Sequence, residues 1–208
     1  MAERKPFNPR KQRTKSHSRG DMLQSKIALR RKVFDWIKPE DASVFDAFAG
    51  EGEMHRHVWA EAEHYVACDL LWHRDERMAF AADNLRVLRA INLEPFNVFD
   101  LDAFGCPYAQ AIIIAGRRRV RAGEVIALCL TDGTGLALKM GKIAAPMREL
   151  TGMADRFESA KRSLHDLTTS ALRELGRRMD AALVDRYEAI SPTGARVVYT
   201  TAIYRGGA

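Results

Sequence analysis

Val44-Phe-Asp-Ala-Phe-Ala-Gly-Glu-Gly-Glu-Met54 is the stretch that decides the fold. Val44, Phe45, Ala47 and Phe48 form the bulky apolar run that a strand buried on both faces requires, with Asp46 set inside it. Gly50 and Gly52 follow, and without a Cβ the backbone there can turn sharply and pass close to a ligand. A strand, a glycine turn and a helix in succession put ligands at the carboxyl edge of an open α/β sheet. Gly-x-Gly alone signals only a turn, so the neighbouring elements carry the rest of the reading.

Working outward, the same alternation repeats. Residues 23–37 have helical apolar spacing that stops at Pro39. The first strand is expected at 43–48 and a helix at 55–63. A second strand at 65–69 ends in a carboxylate, Asp69. Residues 77–83 read as a third strand, although their alanines suit a helix nearly as well. A helix at 84–92, a fourth strand at 96–102, a helix at 109–120 and a fifth strand at 124–131 follow. Residues 153–183 read as one long or two short helices. Segments 184–190 and 195–204, joined by Ser-Pro-Thr-Gly, read as a hairpin whose last strand runs antiparallel to the others. The expected class is α/β: a Rossmann-like, doubly wound, mostly parallel seven-stranded sheet with a C-terminal antiparallel hairpin.

The chain has 208 residues, enough for one packed domain, here 23–208, behind a basic arm at 1–22. A hydrophobic fraction of 47% with 29% charged residues is ordinary for a soluble protein. No apolar run is long enough to span a bilayer and no apolar leader core opens the chain, so a cytoplasmic location without a membrane partner is expected. Cys68, Cys106 and Cys129 are odd in number and lack Cys-x-x-Cys spacing, so they read as buried free thiols. His55, His57, His64 and His73 are scattered without ligand spacing, and no metal is expected.

Charge is unevenly placed. Residues 1–32 hold 11 Lys or Arg against Glu3 and Asp21, a net +9, while the whole chain carries only +6. The basic excess therefore lies wholly at the N-terminus, and the remainder is slightly acidic. The polar, Pro-containing arm with Arg10, Lys11, Arg13 and Lys15 suits a phosphate backbone, where clustered cations displace counterions. A solubilising tail is the plainer alternative. Arg117, Arg118, Arg119 and Arg121 form a second basic cluster, either a phosphate-binding extension or a solvated helix end.

Taken together, five parallel strands, the hairpin and Asp46-Ala-Phe-Ala-Gly-Glu-Gly52 resemble a class I S-adenosylmethionine-dependent methyltransferase over roughly residues 30–205. A nicotinamide-type dinucleotide enzyme is the main competitor, but Met54 and His55 occupy the region of its third glycine. The resemblance implies S-adenosylmethionine as cofactor. It implies that Asp46, Phe48, Gly50 and Gly52 shape the methionine pocket and that Asp69, with Leu70, receives the ribose hydroxyls. It also places Asp83 toward the adenine amino group and Asp100 beside the cofactor. Phe99-Asp-Leu-Asp-Ala-Phe-Gly-Cys-Pro107 further resembles the Asp-Leu-Asp-Pro-Phe-Gly-Ser-Pro run of tRNA guanine-N2 dimethyltransferases, and Thr131-Asp-Gly-Thr134 is similar to that family too. Two departures stand out: Ala103 replaces the proline, and the chain is too short for that family's additional domain.

The residue types suit methylation of an exocyclic base amine. Such a nitrogen is a poor nucleophile because its lone pair is delocalised into the ring. Asp102 could accept its N–H, orient it and stabilise developing positive charge. Phe104 could stack on the base, and Ala103, Gly105 and Pro107 would shape the turn that receives it. The target base would be unpaired or extruded. The expectation is an N-methyltransferase acting on nucleic acid, RNA favoured over DNA, with tRNA guanine N2 as one target. The alternatives are a DNA adenine-N6 or cytosine-N4 methyltransferase and a non-catalytic nucleic-acid-binding protein of the same fold. A bland reading makes Asp102 and Phe104 a strand-end turn and a core aromatic.

Overall fold

A computed structural model describes residues 20–71, 75–153, 164–190 and 197–207. Seven strands form one sheet in the order β3-β2-β1-β4-β5-β7-β6. They are β1 (Ser43–Asp46), β2 (His64–Asp69), β3 (Ala79–Ala81), β4 (Val98–Leu101), β5 (Val125–Asp132), β6 (Ala181–Ile190) and β7 (Val198–Gly206). The first five run parallel, and β7 inserts antiparallel between β5 and β6. The expected architecture is thus the observed one.

The α-helices among the described residues are α1 (Gly20–Arg31), α2 (Glu53–His57), α3 (Asn84–Ala90), α4 (Tyr108–Arg117), α5 (Gly135–Lys139), α6 (Ala145–Thr151) and α7 (Leu164–Arg178). None of the described helices is long and apolar enough to cross a membrane. Two apolar clusters sandwich the sheet. Phe45, Phe99, Leu101, Leu128 and Leu130 face α3, α4, α6 and α7 through Leu88, Tyr108, Ile114, Leu150 and Leu172. Val44, Val98, Ala127, Cys129 and Ile203 face the other way, against Val33, Ile37, Met54, Val58 and Trp59. Alternation along each strand produces the two sets, and coverage on both sides explains why β1 and β4 are buried at every position.

Several boundaries differ from expectation. The helix predicted over 23–37 begins at Gly20, within the predicted arm, and tightens into a 3-10 turn at Lys32–Asp35. The helix predicted over 55–63 is α2 followed by a 3-10 turn at Trp59–Glu61. The first strand stops at Asp46, because Ala47 onward turns toward the glycines. The third strand is only Ala79–Ala81, and all three residues are exposed at the sheet's edge. Nine residues separate β2 from β3, too few for a crossover containing a helix, which takes about 10–12. Helices α5 and α6 were not anticipated. The turn predicted at 191–194, part of the helix predicted from 153, and His73 lie outside the described residues.

Of the second arginine cluster, Arg118 is buried, whereas Arg117, Arg119 and Arg121 are exposed. Arg118 is 1% exposed, donates to the Phe96 carbonyl at 3.2 Å and pairs with Glu124. Arg117 donates to the Leu88 carbonyl. Cys68 and Cys129 are buried and Cys106 partly so, all free thiols; burial pushes Cys68 and Cys129 up to about 12 and Cys106 up to about 11.

Candidate active site

The candidate site is built where β1, β2 and β4 end. β1 and β4 are neighbours in register, with Asp46 opposite Asp100, and the Ala47 amide donates to the Asp100 carbonyl at 2.9 Å. The turn after β1 and the turn after β4 therefore leave the sheet side by side. Gly50 and Gly52 adopt φ of +45° and +80°, a region that a side chain disfavours. Asp69, at the tip of β2, accepts the Gly50 amide at 3.1 Å and the Leu71 amide at 2.8 Å. Leu70 beside it is exposed.

Asp46 is 2% exposed. It accepts the Phe48 amide at 3.1 Å and the Tyr65 hydroxyl at 2.9 Å. Burial and the nearby Asp100 carboxylate push it up to about 8, so at neutral pH it holds a proton. Asp83 caps α3, accepting the Arg86 amide at 3.0 Å. Asp100 is fully enclosed on the face toward α1. Arg30 grips its two oxygens at 2.6 and 2.7 Å, and the Trp59 indole donates to it at 2.8 Å. In this arrangement Asp100 presents no surface to a ligand.

Asp102 lies one step past β4, and its side chain remains 19% exposed. The Lys26 ammonium stands 2.8 Å from each of its oxygens, and the Arg30 guanidinium is 3.9 Å away. Burial raises a carboxyl, but the Arg30 and Lys26 cations outweigh it and hold Asp102 below the ordinary carboxylate range. Two acids of one site, Asp46 and Asp102, are thus driven in opposite directions. Ala103 and Pro107 are buried, Gly105 is half-buried with φ +115°, and Phe104 is 85% exposed. The turn after β4 is tied to the turn after β5, where the Gly133 amide donates to the Gly105 carbonyl at 2.7 Å.

The structure brings together Asp46, Phe48, Gly50, Gly52 and Asp69 around the first turn, and Asp102 to Pro107 in the second. Arg10, Lys11, Arg13 and Lys15 lie outside the described residues.

Other residues at the site went unpredicted. Arg77 donates to the Ala49 and Gly50 carbonyls at 3.2 and 2.8 Å and is held by Asp75. It occupies the space that a Cβ on Gly52 would need, 2.9 Å from its central carbon. Asn84 donates to the Ala47 carbonyl and accepts from Gln110, at 2.8 and 2.9 Å, bracing the turn from below. A cleft of about 580 Å³ adjoins Gly52, lined by His55, Tyr65, Arg77 and Met78 among others. Lys26 and Arg30 carried one available signal: their i, i+4 spacing places them on one helix face.

No protein-family model and no curated protein matches the chain. Solved structures do, at 9–14% identity for three with a TM-score of 0.53, and what they share with this chain is the fold. Trm1 from Pyrococcus horikoshii, solved with S-adenosyl-L-methionine, matches with a TM-score of 0.53 at 14% identity over 91% of this chain and 58% of its own. TYW2 from M. jannaschii, in complex with AdoMet, matches at 0.53 and 12% over 93% of this chain and 79% of its own. The N-methyltransferase NodS from Bradyrhizobium japonicum, with S-adenosylhomocysteine, matches at 0.53 and 9% over 91% and 89%.

Proposed function

We propose that this chain is an S-adenosylmethionine-dependent methyltransferase that modifies an exocyclic amino nitrogen of a base in RNA, with tRNA guanine N2 as one candidate target. The observation that carries the reading is the β4 turn. An ionised carboxylate, Asp102, sits two residues before an 85% exposed aromatic, Phe104, beside the glycine turn of β1.

The residues suit the cofactor. Gly50 and Gly52 hold left-handed backbone that leaves the turn without side chains, and Asp69 offers carboxylate acceptors at the next strand tip, where a vicinal diol can donate. Asp46 and Phe48 would line its methionine end, with Leu70 and Asp83 toward the nucleoside end. When bound, that cofactor supplies an electrophilic methyl group on a sulfonium.

The chain's own part is to present the amine. Asp102 accepts an N–H of the target base, which orients the nitrogen lone pair and offsets positive charge as it develops. Phe104 offers its face to the base, and Ala103, Gly105 and Pro107 keep the turn narrow enough for a flat ring to enter. An unpaired or extruded base is required, because a stacked one cannot reach a turn at the sheet edge. The basic segment with Arg10, Lys11, Arg13 and Lys15 would hold the phosphate backbone.

Mass spectrometry of nucleosides from RNA and DNA incubated with protein and cofactor tests the reading. A methylated base amine in RNA is expected, with turnover abolished in Asp102→Ala while calorimetry still detects cofactor binding. Product in DNA alone would select the DNA alternative. Undiminished turnover in Asp102→Ala would remove Asp102 from the mechanism.

A further inference from the structure

We propose that Lys26 and Arg30 of α1 are positioning residues for methyl transfer, acting through Asp102 by fixing where its carboxylate points and keeping it an anion. The proposal rests on the reading of Asp102 as the acceptor of the substrate amine.

The geometry has three parts. First, the Lys26 ammonium lies 2.8 Å from both Asp102 oxygens and donates to Oδ2, so it sits astride the carboxylate and holds it toward α1. Its own side chain is 12% exposed and passes over the Tyr199 ring of β7 at 5.6 Å, which limits where the ammonium can go. Second, Arg30 cannot move to compensate. Its Nε and Nη2 both donate to Asp100, and Nη2 stands 3.9 Å from Asp102 as a fixed charge. Third, α1 itself is pinned to the sheet, since the Thr201 hydroxyl of β7 donates to the Leu29 carbonyl at 2.9 Å.

The charged and titratable groups around Asp102 are Lys26 and Arg30 from α1, Asp100 from β4 and Asp46 from β1, with Tyr199 behind Lys26 and the neutral Thr131 hydroxyl on β5. Two cations thus face three carboxyls. Within this group Asp46 is displaced upward and Asp102 downward, so the cations act on Asp102 while burial and Asp100 act on Asp46. A carboxylate offers about four acceptor sites, so the straddling ammonium leaves room for an incoming N–H on the exposed part of Asp102. Removing Lys26 would leave Asp102 free to rotate and easier to protonate, and a protonated acid cannot offset the positive charge of the methylated amine.

The full-length chain with Lys26→Met, Lys26→Gln and Lys26→Arg provides the test. Carbon-detected NMR follows the Asp102 carboxyl titration, and kcat for RNA methylation is measured against pH. In the two neutral variants the Asp102 midpoint is expected to rise by about one pH unit or more, the range set by one adjacent charge. The acid limb of kcat should move with it, and Lys26→Arg should restore both. A role in folding alone would move neither. An unchanged Asp102 midpoint in both neutral variants overturns the proposal, as does a shifted midpoint with a stationary kcat profile. A shifted midpoint in a chain that methylates no nucleic acid counts against the assigned reaction and leaves the Lys26–Asp102 coupling in place.

Discussion

Arg30 and Asp100, seventy residues apart, meet through two parallel bonds of 2.6 and 2.7 Å with side chains only 2% and 0% exposed. A pair so enclosed is costly to break from one side, because the remaining charge stays buried without a partner. Arg30→Met should lower unfolding free energy by about 3–5 kcal/mol. Adding Asp100→Asn should recover much of that loss, since the amide retains an acceptor for the Trp59 indole. Urea titration of the two single variants and the double variant reads the coupling directly, and simple additivity would contradict it.

Asp46 makes the stability of the fold depend on pH. Its folded value is raised to about 8, whereas an unfolded aspartate titrates near about 4. Between these values the folded chain holds a proton that the unfolded chain has lost, so stability falls as pH rises through the window. Asp46→Asn removes that dependence. It should melt several degrees higher than the native chain at pH 8 and converge with it near pH 4, as followed by circular dichroism. A constant gap across the range would show that packing, not protonation, separates them.

Gly52 is constrained twice, by φ +80° and by the Arg77 guanidinium lying 2.9 Å from where a Cβ would stand. Gly52→Ala should cost about 1–2 kcal/mol for the left-handed backbone alone. It should also push Arg77 off the Ala49 and Gly50 carbonyls and weaken cofactor binding measured by calorimetry. Combining it with Arg77→Ala relieves the contact but not the backbone, so recovery of stability should be partial.

Phe104 offers a test of binding that is independent of folding. At 85% exposure it contributes little to the core. Phe104→Ala should leave the melting temperature unchanged while weakening single-stranded RNA binding by about 1–3 kcal/mol, the worth of one stacked base. Fluorescence anisotropy with a short labelled RNA gives the second value. Equal affinities would deny Phe104 a stacking role.

The sheet was legible because its strands are apolar runs closed by acids or glycines, as in Tyr65 to Asp69 and Glu124 to Thr131. Elements without that contrast were not. Gly135–Lys139 is barely more than one helical turn, too short for a periodic signal. The alanines of 77–83 suit a helix nearly as well as a strand, and only Ala79–Ala81 joins the sheet. At the site, residue type pointed to Asp46, Gly50, Gly52 and Asp69 because their chemistry is local to each turn. Arg30 and Lys26 were read as part of a basic terminus. Only the tertiary fold lays α1 across Asp100 and Asp102, and no local pattern tells a buried arginine from a solvated one. The same holds for Arg118, buried within a cluster that reads as surface charge.

The bond from Gly133 to Gly105 brings two backbones so near that a methyl group on residue 133 would meet the Gly105 α-carbon at 3.3 Å. The crowding runs one way, because a methyl group on residue 105 would meet open space. Any enlargement at 133 has to be answered by a retreat of the segment bearing Asp102 and Phe104. A change made after β5 will therefore register in the segment after β4.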